Sequence, residues 1–205
     1  MFTLNASNKC ETRHMSSQSQ DTGSAPVADK TVEILATRSG LQLHVRPAVA
    51  ADEARLEALF EGVTLEDLRF RFLSAVQHVG HDQIAAMLRV DHVGSETFVA
   101  FEPESDNLVA TAMLAADPTL ATAEVAISVH RNYKGRGIGW ALLKHVAGIA
   151  RAKGIGRLQA IESRENHAAI DLEREMGFTA HACPGEPTLL MVEAVLNQCP
   201  PPSRS

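Results

Sequence analysis

The order of elements along this 205-residue sequence predicts an α+β domain (α/β mixed), with a central mixed, mostly antiparallel sheet flanked by helices. Two observations carry that prediction. First, the runs ETFVAFE (Glu96 to Glu102), LVATAMLAA (Leu108 to Ala116) and TAEVAISV (Thr122 to Val129) are separated by turn-rich EPESDN and DPTLA, the pattern of an antiparallel meander. Second, the last run passes through a glycine-rich loop into a helix, a strand, a further helix and a final strand.

In chain order, residues 1–30 are rich in Ser, Gln, Asn, Asp and Thr with no repeating apolar face, and are expected to be a disordered tail. Either Met1 or Met15 can serve as the start. TVEILA (Thr31 to Ala36) and LQLHVRP (Leu41 to Pro47) alternate and are joined through Gly40, which reads as a β-hairpin. From Val49 to Val63, Ala51, Ala54, Leu56, Leu59 and Phe60 recur at helical spacing. A second helix takes Thr64 as N-cap and buries Leu65, Leu68, Phe72 and Val76, with Phe70 and Leu73 widening the face. A third, His81 to Arg89, packs Ile84, Ala85 and Leu88. Beyond the glycine loop, Ile138 to Lys153 turns Leu142, Leu143, Val146, Ile149 and Ala150 inward until Gly154 stops the helix. RLQAIE (Arg157 to Glu162) is a strand, Glu165 to Met176 a helix closed by Gly177, and Thr188 to Leu196 the last strand. The domain therefore spans 31–196, with a second tail at 197–205.

Composition narrows the function. An apolar fraction of 45%, a charged fraction of 21% and only 4% aromatics describe a globular chain with an aliphatic core. A net charge of −6 argues against generic binding of nucleic acid or anionic membrane, which requires a basic face. No apolar run approaches the roughly 20 residues that span a bilayer, and the N-terminus lacks a signal-peptide core, so a cytoplasmic location is expected. Cys10, Cys183 and Cys199 are odd in number and widely spaced, as reduced thiols are. His78, His81 and His92 have no Cys, Asp or Glu array to complete a metal site, so no metal is expected.

The loop KGRGIG places Gly135, Gly137 and Gly139 at the mouth of a helix. Unpartnered N–H groups and the helix dipole favour an anion there, and glycines allow close backbone approach. The dinucleotide fingerprint G-x-G-x-x-G fails, because Trp140 follows Gly137 by three, and no Gly-Lys-Ser/Thr completes a P-loop. What does fit is a polar residue followed by x-x-G-x-G, which resembles the pyrophosphate loop of the GNAT acyl-CoA N-acyltransferases, with Lys134 in the place usually held by Arg or Gln. The element order over 31–196 is similar to that family's. So is N-H-A-A-I-D-L-E-R-E-M-G-F (Asn166 to Phe178), which resembles its motif N-x-x-A-x-x-L-Y-x-x-x-G-F. The motif's Tyr, often the acid that protonates the departing CoA thiolate, falls on Glu173. That departure, the hairpin into VRPA, the helix TLEDLRFRFLSA and the strand AEVAISV together look like the GNAT domain of bacterial protein lysine acetyltransferases acting on acyl-CoA synthetases.

The resemblance implies a GNAT fold splayed between the strand before the loop and the next strand, with acetyl-CoA as cosubstrate. It implies that backbone groups of Gly135, Arg136, Gly137, Ile138 and Gly139 hold the pyrophosphate, with Lys134 and Arg136 adding charge. Backbone groups of Ile127 and Val129 would hold the pantetheine arm. Asn166 is either a contact to that arm or an N-cap, and Glu124 is the general base. A free lysine is protonated at pH 7, so a base is needed, and burial in an apolar strand should raise the pKa of Glu124 toward the working range. With no Tyr at 173, the thiolate is expected to leave unassisted, with Ser163 and Ser128 as conceivable acids. Arg69 and Arg71 are expected to solvate the second helix. The reading is an acetyltransferase acting on a primary amine, notably a protein lysine, as a monomer or homodimer. Its alternatives are a small-amine acetyltransferase and a non-catalytic acyl-CoA sensor.

Overall fold

The structure, a computed structural model, describes residues 32–196 apart from residue 106. The expected tails, and with them Cys10 and Cys199, lie outside the described residues. β1 (Glu33–Ala36) and β2 (Gln42–Pro47) form the expected hairpin. A turn of 3-10 helix (Ala50–Asp52) leads into α1 (Glu53–Glu61), followed by α2 (Leu65–Phe72) and α3 (His81–Leu88). The meander is β3 (Ser95–Phe101), β4 (Leu108–Ala116) and β5 (Thr122–Val129). After the loop come α4 (Ile138–Ala152), β6 (Arg157–Ser163), α5 (His167–Glu175), β7 (Thr179–Ala182) and β8 (Leu189–Val195). The eight strands make one sheet in the order β1-β2-β3-β4-β5-β6-β8-β7.

Every neighbouring pair in this sheet is antiparallel except β5 with β6, which α4 joins as a crossover. α4 lays Leu142, Leu143, Val146 and Ala150 on one face of the sheet, against Val125, Leu158 and Ala160 among others. The opposite face is covered by α1 and α3, whose Leu56, Leu59, Ile84 and Met87 pack with Val99 and Met113. These aliphatic contacts are the core that the sparse aromatics foretold.

Three local expectations need correction. β7 was not foreseen, because TAHA has no apolar alternation and Ala180 is its one half-buried residue. Pairing with β8, Ala180 opposite Val192 included, makes it a strand. The helix expected from Val49 begins as an α-helix only at Glu53, and Ala51 and Ala54 are exposed. The second helix keeps its Thr64 cap, with Oγ accepting from the Asp67 N–H at 3.1 Å, but it ends at Phe72 where Leu73 takes φ 49°. Leu65 stays 63% exposed.

The reason α1 starts late is a buried ion pair. Asp52 is 0% exposed and receives both ends of the Arg46 guanidinium, at 2.7 Å each, and the Val49 N–H at 2.9 Å. Burial pushes its carboxyl up, but the hydrogen bonds from Arg46 and Val49 and the charges of Arg46 and Arg55 outweigh it and hold the group below the usual range. A folded pKa below the unfolded one adds stability above the unfolded pKa, which is lost as pH falls through the folded value. Removing one partner of such a buried pair strands the other charge. Asp52→Ala should therefore destabilise the fold by about 3–5 kcal/mol in denaturant unfolding at pH 7, with the penalty shrinking under acid.

Candidate active site

Gly135 and Gly137 adopt φ of +73° and +79°, values that suit residues without a Cβ. Gly137 also lies against the hairpin turn, where an added Cβ would meet Arg38 N at 3.4 Å and Thr37 Cβ at 3.5 Å. Ser39 Oγ donates to the Arg136 carbonyl at 2.8 Å, so the β1–β2 turn braces the loop. The Ala141 N–H bonds to the Gly137 carbonyl at 3.1 Å, and the N–H groups N-terminal to Ala141 at the mouth of α4 have no intrahelical partner. Lys134 Nζ is held by both Asp67 carboxylate oxygens at 2.7 and 2.8 Å, which ties the loop to α2. Arg136 stacks on Tyr133 with its guanidinium 5.0 Å from the ring centre, and Tyr133 donates to Glu102 at 2.9 Å.

β5 and β6 pair only through Thr122, Ala123 and Glu124, opposite Arg157, Leu158 and Gln159, and then part. This is the splay that the resemblance implied. The His130 N–H bonds to the Val109 carbonyl on β4 at 2.9 Å, and the Arg157 N–H bonds to the Ala121 carbonyl at 3.1 Å. Strand alternation between those anchors turns the backbone groups of Val125, Ile127 and Val129 toward the β6 side, beyond the end of the ladder. Ile127 and Val129 thus present N–H and C=O groups to an opening.

That opening is a cavity of about 240 Å³. Its walls are Phe70, Arg71, Phe72 and Leu73 with the end of α2, the stretch of β5 from Glu124 to Val129, Lys134, Gly139 and Leu143 of the loop and α4, Ile161 and Glu162 of β6, and one face of α5. Of the residues singled out from sequence, it brings together Glu124, Ile127, Val129, Lys134, Gly139 and Asn166. Gly135, Arg136, Gly137 and Ile138 belong to the adjoining loop rather than to the cavity wall.

Three carboxyl groups are sequestered in this cavity. Burial pushes Glu124 up to about 7, against the pull of the Arg71 charge. Burial also raises Glu162, opposed by the Asn166 amide, which donates to its Oε2 at 2.7 Å, and by Arg71. Glu173 is 5% exposed, and both burial and the negative charge of Glu162 push it up with nothing opposing. Of that pair, Glu173 is therefore the one that keeps its proton. Its Oε2 and the Ser128 Oγ are buried and have no hydrogen-bond partner.

Arg71 corrects an expectation. Instead of solvating α2, it is half-buried in the cavity, donates to Met113 Sδ at 3.1 Å, and is lowered to about 10 by burial against the charges of Glu124 and Glu162. Arg69 does face outward and pairs with Glu165 at 2.7 Å. Sequence reasoning missed Arg71 and Glu162 and passed over Glu173. Of the two roles left open for Asn166, the N-cap is the one seen: its Oδ1 accepts from the Ala169 N–H at 3.4 Å, while its amide donates to Glu162, a bond neither reading foresaw.

Known proteins share this fold. The solved GNAT domain of S. lividans PAT superposes with a TM-score of 0.74 at 25% identity, over 80% of this chain and 96% of that one. Spermidine N-acetyltransferase of Vibrio cholerae, solved with CoA and spermine, shares the fold with a TM-score of 0.63 at 15% identity, over 75% of this chain and 95% of its own. An acetyltransferase of Pseudomonas aeruginosa is 25% identical over 151 residues, 73% of this chain and 81% of that protein. Residues 63–178, more than half of the sequence and the stretch that contains β5, the glycine loop and α5, match the Acetyltransferase (GNAT) family, and the chain belongs to that family.

Proposed function

We propose that this protein transfers the acetyl group of acetyl-CoA to a primary amine on an aliphatic stem, a protein lysine side chain, with Glu124 as general base. The observation that carries the reading is the position of Glu124 in a cavity continuous with the mouth of α4. The N–H groups of Gly135 to Gly139 would hold the pyrophosphate, with Lys134 and Arg136 supplying charge. The edge of β5 at Val129 and Ile127 would hydrogen-bond the pantetheine arm, and the thioester would then lie in the opening between β5 and β6. Backbone N–H groups there would polarise its carbonyl.

The acceptor side supports an amine. Cross-strand register puts Glu124, Ala126 and Ser128 opposite Ala115, Met113 and Thr111, on the sheet face that α2 covers. Phe70, Phe72 and Leu73 offer apolar surface to a methylene stem, while Glu124 and Glu162 offer carboxyl groups to its nitrogen. A carboxyl near 7 is half ionised at neutral pH and can take a proton from an ammonium or from the attacking amine. Protein lysine is preferred to a small amine because of the sequence resemblance to bacterial protein lysine acetyltransferases and the likeness to the GNAT domain of PAT.

Glu124→Gln should lower kcat by at least about 100-fold while leaving acetyl-CoA affinity nearly unchanged; steady-state kinetics on a lysine peptide together with calorimetric binding test this, and normal turnover would sink the assignment. The base works only when ionised, so kcat/KM should rise with pH through about 7. Arg71→Met removes a charge that favours the ionised form, so its acid limb should move to higher pH, which a pH–rate profile reads directly. Acetylation of host proteins in lysate supplied with acetyl-CoA, read by mass spectrometry, tests the acceptor class, and label confined to metabolites would overturn protein lysine.

A further inference from the structure

α5 carries a carboxyl that the proposed reaction does not yet use. Glu173 is 95% withdrawn from solvent on the face of α5 that lines the cavity, and its Oε2 has no hydrogen-bond partner. A buried polar atom left unsatisfied is destabilising, so a purely structural role is better filled by an apolar residue. Leu172, its neighbour on α5, packs near Gly139 at the mouth of α4, so this helix borders the path from the loop into the cavity. Glu124 comes from β5 and Glu173 from α5, on different walls of that path.

Resting on the acetyl-CoA reading above, we propose that the Glu173 carboxyl is the general acid of the reaction, delivering its proton to the CoA sulfur as the thioester C–S bond breaks. The amine nitrogen forms the new C–N bond, and the proton it loses goes to Glu124. The electron pair of the breaking C–S bond stays on sulfur, which takes the Glu173 proton and departs as the free thiol. Glu124 ends protonated and Glu173 ionised, so net charge is unchanged, and exchange with water restores both. This replaces the unassisted departure expected from the missing tyrosine.

The chemistry suits the environment. A free thiol titrates near 8.5, so a carboxyl in the ordinary range near 4.3 would be ionised at working pH and have no proton to give. Burial and the adjacent Glu162 charge keep that of Glu173 in place. Ser128 Oγ, also buried without a partner in the cavity, can donate a hydrogen bond but is too weak an acid to ionise. Tyr133 is engaged with Glu102.

Glu173→Gln preserves shape and removes the acidic proton. Its kcat on a lysine peptide should fall about 100-fold with acetyl-CoA affinity held within about twofold. The wild-type pH profile should fall again on the alkaline side, and that limb should vanish in the variant. Carbon-13 NMR of glutamate-labelled protein adds a readout free of turnover: one carboxyl, identified by its loss in Glu173→Gln or, if that variant does not fold, in Glu173→Asp, should titrate above neutrality. A normal kcat, an unchanged alkaline limb, or a Glu173 resonance titrating in the ordinary carboxylate range would each overturn the acid role. Wild-type protein inert toward every amine would instead sink the acetyltransferase reading itself.

Discussion

Everything distinctive about this molecule depends on the parting of β5 and β6. Two parallel strands that have paired for three residues would ordinarily continue, because each further rung satisfies a donor and an acceptor. Here the ladder stops at Glu124 and Gln159. The strand edge beyond Glu124 is left with unspent backbone groups, and the space between the strands becomes the cavity. A cavity at that place is walled largely by secondary structure. α2 closes it from one face, α4 and α5 from the other, and the N-terminal mouth of α4 opens beside it.

The same withdrawal from water that makes the cavity also sets its chemistry. Carboxylates are costly to bury, and they respond by keeping their protons. Three of them share this space with the Arg71 guanidinium, and their different access to compensation sorts them. Glu124 and Glu162 feel the guanidinium, and Glu162 also has the Asn166 amide, whereas Glu173 feels burial and a like charge. One enclosure thus holds a carboxyl that ionises near neutrality and another that keeps its proton above it. Acid and base work at one pH requires that kind of separation.

The loop and the acceptor side are mechanically joined. Lys134 is clamped by Asp67, whose backbone N–H is also the group capped by Thr64, so the start of α2 and the start of the glycine loop share an anchor. On the other side the hairpin turn presses on Gly137, and Arg38 stacks on Trp140 at 4.1 Å. The glycine loop is therefore held from both directions, which would lower the ordering cost of binding a ligand there.

By itself, the sequence determined the parts. Period and turn chemistry marked the hairpin, the meander, the loop and α4, with β4 and β5 at their observed limits, because each carries its own alternation or glycine signal in a short span. Glu124 was singled out through the family resemblance, since a lone acid in a strand by itself reads as a solvated carboxylate. β7 was not, since four residues of TAHA become a strand only through β8. Arg71 read as a solvated helix charge, as most arginines are, and Glu173 only as the place where the family's tyrosine is missing. Only the tertiary structure decided otherwise. The orientation of α2 over β5, and of α5 beside the gap, turns those two side chains inward. A side chain's protonation depends on the water it loses and the charges it meets, and both are supplied by residues distant in sequence.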